Sequence, residues 1–285
     1  MFAPFFALPE GLSFPFEAHF GVLSVTEVCD GRPMPRASQY LLEGHVYHLT
    51  QRCHDRRFLL RFARDRDAYR AWWFEAVRRF RVPVYGYCIT RNHVHAVAYV
   101  SDRESVSRFM HLASGSTAKA FNLRKGVEGS MWEHPYHCTI VETGRHLLNC
   151  LCYVDLNMVR AGVVEHPRDW QWCGHDELTG RRKRYRILDV GHLLGRLEMR
   201  TAQEFRAQYE ALLEERLREG RLSREACWTE SLAVGSRPFV EGLKGQFTRR
   251  RSLVTDESAC SLGSTWTIRE APTPYAAVSP AQNES

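Results

Sequence analysis

The chain contains no CxxC pair, no apolar run near the roughly 18 residues a membrane helix needs, and very little lysine among its basic residues. The first absence excludes the common zinc-ribbon and thioredoxin-type motifs. The second excludes a membrane-spanning helix. The apolar start, Met1-Phe2-Ala3-Pro4-Phe5-Phe6, has no basic lead-in and no continuous apolar core, so it does not read as a signal peptide. The nine cysteines are odd in number, and without an export signal reduced thiols in the cytoplasm are the expectation.

What the chain has in excess is arginine. Net charge is +6 over 285 residues, with a pI near 8.9. Arg52, Arg56, Arg57, Arg61, Arg64, Arg66 and Arg70 crowd one segment. Arg181 to Arg186 and Arg249 to Arg251 form two more clusters. The guanidinium fork matches phosphate oxygens and stacks on bases, which suggests nucleic acid; the ordinary alternative is a set of solvated faces paired with the 33 acidic residues.

Apolar periodicity predicts helices over 65–80 and 105–123, and strands around Tyr47 to Arg52, over 82–89, 94–100 and 137–141. A third helix opens at Thr143 or Gly144 and runs to Gly162. The order strand, helix, strand, strand, helix, strand is a βαββαβ unit, so the fold class is α+β. The expectation is a ferredoxin-like antiparallel sheet with helices on one face, plus a C-terminal helical extension. Thr201-Ala202-Gln203-Glu204 is a capping box opening a helix to about Arg218. The domains expected are an N-terminal extension or disordered arm over 1–33, with Met34 as a candidate native start, a catalytic domain over 34–175, a C-terminal helical DNA-binding or accessory region over 176–251 and a disordered tail over 252–285.

Two elements carry chemistry. In Asn92-His93-Val94-His95-Ala96-Val97, strand alternation points His93 and His95 from one face, and paired imidazoles are half of a metal site. In the third helix Asn149, Tyr153, Asn157 and Arg160 share a polar arc of about 80°. By default such an arc is solvated and Tyr153 is a rim tyrosine. Tyr153 and Asn157 lie one turn apart, however, and an Asn carbonyl is an acceptable third ligand. Two imidazoles and one amide suit Mg²⁺ or Mn²⁺ with positions left for phosphate oxygens and water. Asp155 falls in the apolar arc and fits neither reading. His48, His54, His134 and His137 lack the spacing of a structural zinc module.

The HVH strand, followed about 60 residues later by Tyr153-Val154-Asp155-Leu156-Asn157-Met158-Val159-Arg160-Ala161-Gly162, resembles the HUH single-strand DNA transposases with one catalytic tyrosine, and within them the REP-associated tyrosine transposases. Tyr47 to Arg52, Tyr87 to His93, Met131-Trp132-Glu133 and His166 to Trp170 match further. The resemblance covers about residues 34 to 175 and fades toward 247. It implies a metal held by His93, His95 and Asn157, and a Tyr153 nucleophile forming a 5′-phosphotyrosine. It also implies cleavage and rejoining of single-stranded or hairpin DNA by a monomer. Arg52, Arg91, Arg160, Arg182 and Arg184 are the candidate DNA contacts. The chain departs from the family pattern at Met158, where proline is usual, at Thr90-Arg91, where Met-Pro is usual, and at Trp172-Cys173-Gly174, where Trp-Ser-Ser is common. The other reading is a hairpin-binding regulator that does not cleave.

Overall fold

The structure, a computed structural model, describes residues 41–220, 222–247, 252–258 and 264–271. The expected N-terminal extension and the candidate start at Met34 lie outside the described residues.

The β-branched and aromatic segments pair as the sequence predicts. Strand β1 (His45–Arg52) lies between β3 (His93–Val100) and β4 (His137–Val141), and β2 (Val84–Ile89) pairs with β3 on the other side. Helix α1 (Ala63–Phe80) joins β1 to β2, and α2 (Arg103–Lys125) joins β3 to β4. Asp102 starts α2 by accepting the backbone N–H groups of Glu104 and Ser105; Gly126, at φ +62°, ends it. Both helices cover one face of the sheet, where Trp73 sits edge-on to Tyr87 at 5.6 Å and against Phe109 at 6.0 Å.

The opposite face is covered by α3 (Arg145–Asp155), which continues after an irregular Leu156 into α4 (Asn157–Arg160). Close approach depends on Gly86, since a Cβ there would stand 2.7 Å from Leu151 Cδ2. Nine of the eleven α3 residues are buried. The polar arc is therefore not a solvated one. After the one-turn α5 (His175–Leu178) and α6 (Val190–Arg196), helix α7 (Ala202–Arg218) packs against α3. Thr201 caps it as its capping-box sequence predicts, accepting the Glu204 N–H at 3.1 Å. Arg216 donates to Asn149 Oδ1 at 2.6 Å. Tyr209 donates to Asp155, and the Nδ1–H of His175 donates to the Tyr209 oxygen at 3.1 Å. Asp155 thus sits in the apolar arc because a second helix brings it a buried hydroxyl. Burial pushes its pKa up to about 7.

The C-terminal part differs from expectation. After α8 (Cys227–Glu230), strand β5 (Ala233–Gly235) adds parallel to β4 and is followed by α9 (Arg237–Lys244). Residues expected in a disordered tail form β6 (Leu253–Ser258) and β7 (Thr265–Glu270). The sheet order is β2-β3-β1-β4-β5-β7-β6. Each strand is too short to show its period clearly; β7 takes its place in the sheet from β5, which is distant in sequence, and β6 pairs in turn with β7.

Trp170 and Trp172 are core residues. Their indole N–H groups donate to Ile89 O and Asp67 Oδ1, and the Arg66 guanidinium lies over both rings. Cys53, Cys88, Cys150, Cys152 and Cys173 are buried thiols, but Cys227 is disulfide-bonded, which departs from the expectation of uniformly reduced cysteines. Among the described residues, no helix is long and apolar enough to cross a membrane.

Candidate active site

Register assembles the site. Thr50 lies opposite His95, Arg52 opposite His93, and on the other side of β1 His137 lies opposite Thr50 and Thr139 opposite His48. Residues directly opposite project from the same face. His48, His93, His95 and His137 therefore stand together on the face that α3 covers. The His93 and His95 rings are 4.8 Å apart and nearly perpendicular.

Each ring is held at Nδ1. The Asn92 amide donates to Arg56 O, so its Oδ1 is turned to His93 Nδ1 at 2.8 Å and accepts from it. Thr90 reinforces this turn: its hydroxyl accepts the His93 N–H at 3.1 Å and lies 3.0 Å from the same Nδ1. A residue that departs from the family pattern is thus part of what orients His93. For His95 the hydrogen-bond direction is set at a distance. Trp228 O can only accept, so His48 Nδ1 carries the proton at 2.8 Å. A neutral His48 then offers Nε2 as an acceptor, and His95 Nδ1–H donates to it at 2.8 Å. Both His93 and His95 are left with Nε2 unprotonated. Burial favours the neutral rings, holding His48 at about 3, His93 at about 4 and His95 well below the usual histidine range.

Asn157 completes the set. Its carboxamide nitrogen lies 2.9 Å from His95 Nε2, and turning the amide by 180° presents Oδ1 there. Neutral Nε2 lone pairs, Nδ1 groups fixed by outer partners and one amide oxygen fit a divalent ion. Among the described residues no three His, Cys, Asp or Glu side chains gather as a metal cluster.

Tyr153 lies one helical turn before Asn157 and is 3% exposed. Its ring is edge-on to His48 at 6.0 Å and to His95 at 6.3 Å, with Trp228 at 6.1 Å. The Arg160 guanidinium lies 4.0 Å from the ring centroid, and one buried Arg160 nitrogen has no hydrogen-bond partner. Burial raises the Tyr153 pKa; Arg160 and then Arg224 oppose the rise. Beside these groups a cleft of about 190 Å³ is lined by Thr50, Arg52, His93, His95, Glu133, His134, His137, Arg224 and Thr229, among others. Tyr153 and Asn157 are not among its lining.

The remaining candidates fall outside the cleft. Arg91 is exposed on the β2–β3 turn, where its carbonyl accepts the Leu60 N–H. Arg182 reaches Tyr87 Oη at 3.3 Å and the buried Glu177 at 3.9 Å, on the face away from the histidines. Arg184 is exposed. Sequence reasoning missed the roles of His48, Thr90, Arg224 and Trp228. His48 had a signal in its two-residue alternation with Thr50 and Arg52; Arg224 and Trp228 had none, because they arrive from the C-terminal region.

Residues 42–157 match the model of the IS200-like transposase family, a span running from just before β1 to Asn157. The resemblance to single-tyrosine transposases read from the sequence therefore holds over this segment. A solved structure described as a REP-associated tyrosine transposase bound to a REP hairpin is similar at 16% identity and a TM-score of 0.42, over 49% of this chain and 82% of that one. No curated protein matches the chain.

Proposed function

We propose that the chain is a metal-assisted transposase that cleaves and rejoins single-stranded, hairpin-forming DNA through Tyr153. The observation that carries this reading is the convergence of His93, His95, Asn157 and Tyr153 from a strand and a helix some 60 residues apart: His93 and His95 line a basic cleft, and Asn157 and Tyr153 pack against His95. His93 Nε2, His95 Nε2 and the Asn157 amide oxygen are the atoms that would hold Mg²⁺ or Mn²⁺. When bound, such an ion polarises the scissile phosphate and offsets its developing charge.

The chain's own residues do the rest. Arg52 and Arg224, lining the cleft, meet phosphate oxygens of the strand. Arg160, stacked on the Tyr153 ring, favours the phenolate over the phenol. Tyr153 Oη bonds to phosphorus as the bond to the 3′ oxygen breaks, and the phenol proton ends on that oxygen. The products are a 5′-phosphotyrosine and a free 3′-hydroxyl. One ester replaces another, so the step reverses without an external energy source. Residues 34–175 form the catalytic domain in this reading. Residues 176–251 supply Arg224 and the Trp228 that packs over Tyr153. The protein acts in the cytoplasm as a monomer.

A second reading, a hairpin-binding regulator without cleavage, is favoured by one observation: Tyr153 is buried and its pKa is raised. Incubation with labelled hairpin DNA and Mn²⁺, followed by a denaturing gel, separates the two. A shifted covalent band that Tyr153→Phe abolishes supports the transposase. Binding without any covalent band favours the regulator, and cleavage that survives Tyr153→Phe overturns the assigned nucleophile.

A further inference from the structure

Away from the cleft, the loop after β1 carries a concentration of exposed aromatic and basic side chains, separate from the exposed Tyr185 among Arg181, Lys183, Arg184 and Arg186. Phe58 is 61% exposed and Phe62 is 47% exposed. Three cations surround the Phe62 ring: Arg64 at 5.4 Å, Arg61 at 5.8 Å and Lys125, from the end of α2, at 5.9 Å. Arg56 and Arg57 are exposed in the same loop. Its acidic groups are few: Asp55 is exposed, 3.7 Å from His54, which is an ion-pair partner only when protonated, and Asp65 is buried against Arg124. Scattered surface arginines are ordinary, but exposed rings ringed by unneutralised cations are the two parts of a surface for single-stranded nucleic acid. Bases stack on the rings and phosphates meet the cations.

The loop is built rather than slack, and it leads to the site. Asp55 and Arg56 both adopt left-handed backbone, at φ +53° and +56°, which an aspartate tolerates and an arginine disfavours. The shape is held by the Arg57 N–H to His54 O at 3.1 Å and by the Asn92 amide donating to Arg56 O at 3.0 Å. The same Asn92 holds His93 Nδ1. Cys53 N–H bonds to Asn92 O, so the loop begins where Arg52 leaves the cleft. The basic aromatic surface and the cleft are therefore continuous across a single asparagine.

We infer that the loop from Arg56 to Phe62, with the first turn of α1 and the end of α2, is a docking track for the unpaired flank of the DNA whose phosphate is cleaved at Tyr153. Phe62 and Phe58 stack its bases, and Arg57, Arg61, Arg64 and Lys125 follow its backbone. The inference rests on the function proposed above and adds where the flanking strand runs.

The test is fluorescence anisotropy with the full chain and two labelled hairpins, one blunt and one carrying a single-stranded flank, together with the covalent gel assay. The Phe58→Ala/Phe62→Ala double variant changes exposed side chains only, and an unchanged melting temperature confirms its fold. We expect it to bind the flanked hairpin at least tenfold more weakly and the blunt hairpin unchanged. Arg61→Gln/Arg64→Gln is expected to flatten the salt dependence for the flanked hairpin by about 0.7 in log–log slope per lost phosphate contact. Equal affinity of parent and double variant for the flanked hairpin, with covalent capture by the parent intact, overturns the track and leaves the function standing. A parent that neither binds flanked hairpin nor forms the covalent band overturns both.

Discussion

His48 Nε2 lies 2.8 Å from His95 Nδ1, and the direction of that hydrogen bond is fixed from outside the pair by the Trp228 carbonyl. A histidine on the central strand thereby determines which nitrogen of its neighbour remains a lone pair. The consequence is measurable as metal affinity. His48→Leu removes the acceptor for His95 Nδ1–H and the donor to Trp228 O, which is left with the Thr139 hydroxyl, 3.1 Å away and shared with Ser231 O at 2.7 Å. We expect Mn²⁺ binding, read by calorimetry, to weaken about 10- to 100-fold, with His48→Gln retaining more affinity than His48→Leu. Unchanged affinity in both variants would remove His48 from the site.

Acid should destabilise the metal-free protein. His48, His93 and His95 are held below their unfolded value near 6.5, so the unfolded chain binds more protons as pH falls. Their contribution is fully present above about pH 6.5 and is lost as pH falls toward 4 and 3. Asp155, raised to about 7, acts with the opposite sign between its unfolded value and 7. More histidines than carboxylates are shifted in this way, so the melting temperature is expected to fall between pH 6.5 and 4. The fall should be shallower in His48→Leu than in the parent. A melting temperature that is flat across that window would contradict the buried, neutral assignment.

The Tyr209 hydroxyl ties α7 to the tyrosine helix. Tyr209→Phe leaves the buried Asp155 without its donor and His175 Nδ1–H without its acceptor. Urea unfolding is expected to show a loss of about 1–3 kcal/mol. A loss below half of that would mean the two groups find other partners.

Arg160 sets a half-buried cation, with one buried nitrogen lacking a hydrogen-bond partner, against the ring of the proposed nucleophile. Arg160→Gln is expected to slow covalent capture of hairpin DNA by roughly 10²–10³-fold with hairpin affinity changed far less. A variant that binds more weakly but reacts at the parental rate would make Arg160 a DNA contact only.

The four-strand unit and its helices were legible because their signals are local. The α2 span lies within two residues of its predicted ends at each side, and β4 matches its prediction over 137–141. His93 and His95 were legible because strand alternation alone puts them on one face. The environment of Tyr153 was not. Amphipathicity reads Asn149, Tyr153 and Asn157 as a solvated arc, yet Arg216 and Trp228 from the C-terminal region enclose it. Asp155 looked misplaced for the same reason: its partner Tyr209 is 54 residues away and leaves no mark on the local pattern. The strands β6 and β7 were missed because such six-residue segments gain their order from pairing, β6 with β7 and β7 with β5, rather than from their own composition.

The most direct test of the account is the mass of the protein–DNA adduct. Hairpin DNA is incubated with the protein and Mn²⁺, the covalent product is digested with trypsin and nuclease, and the modified peptide is sequenced by mass spectrometry. The account expects a nucleotide joined through its 5′ phosphate to Tyr153, in the peptide following Arg145 and ending at Arg160. An adduct on another residue, a 3′-phosphoryl linkage, or cleaved DNA with no protein-bound nucleotide would contradict it.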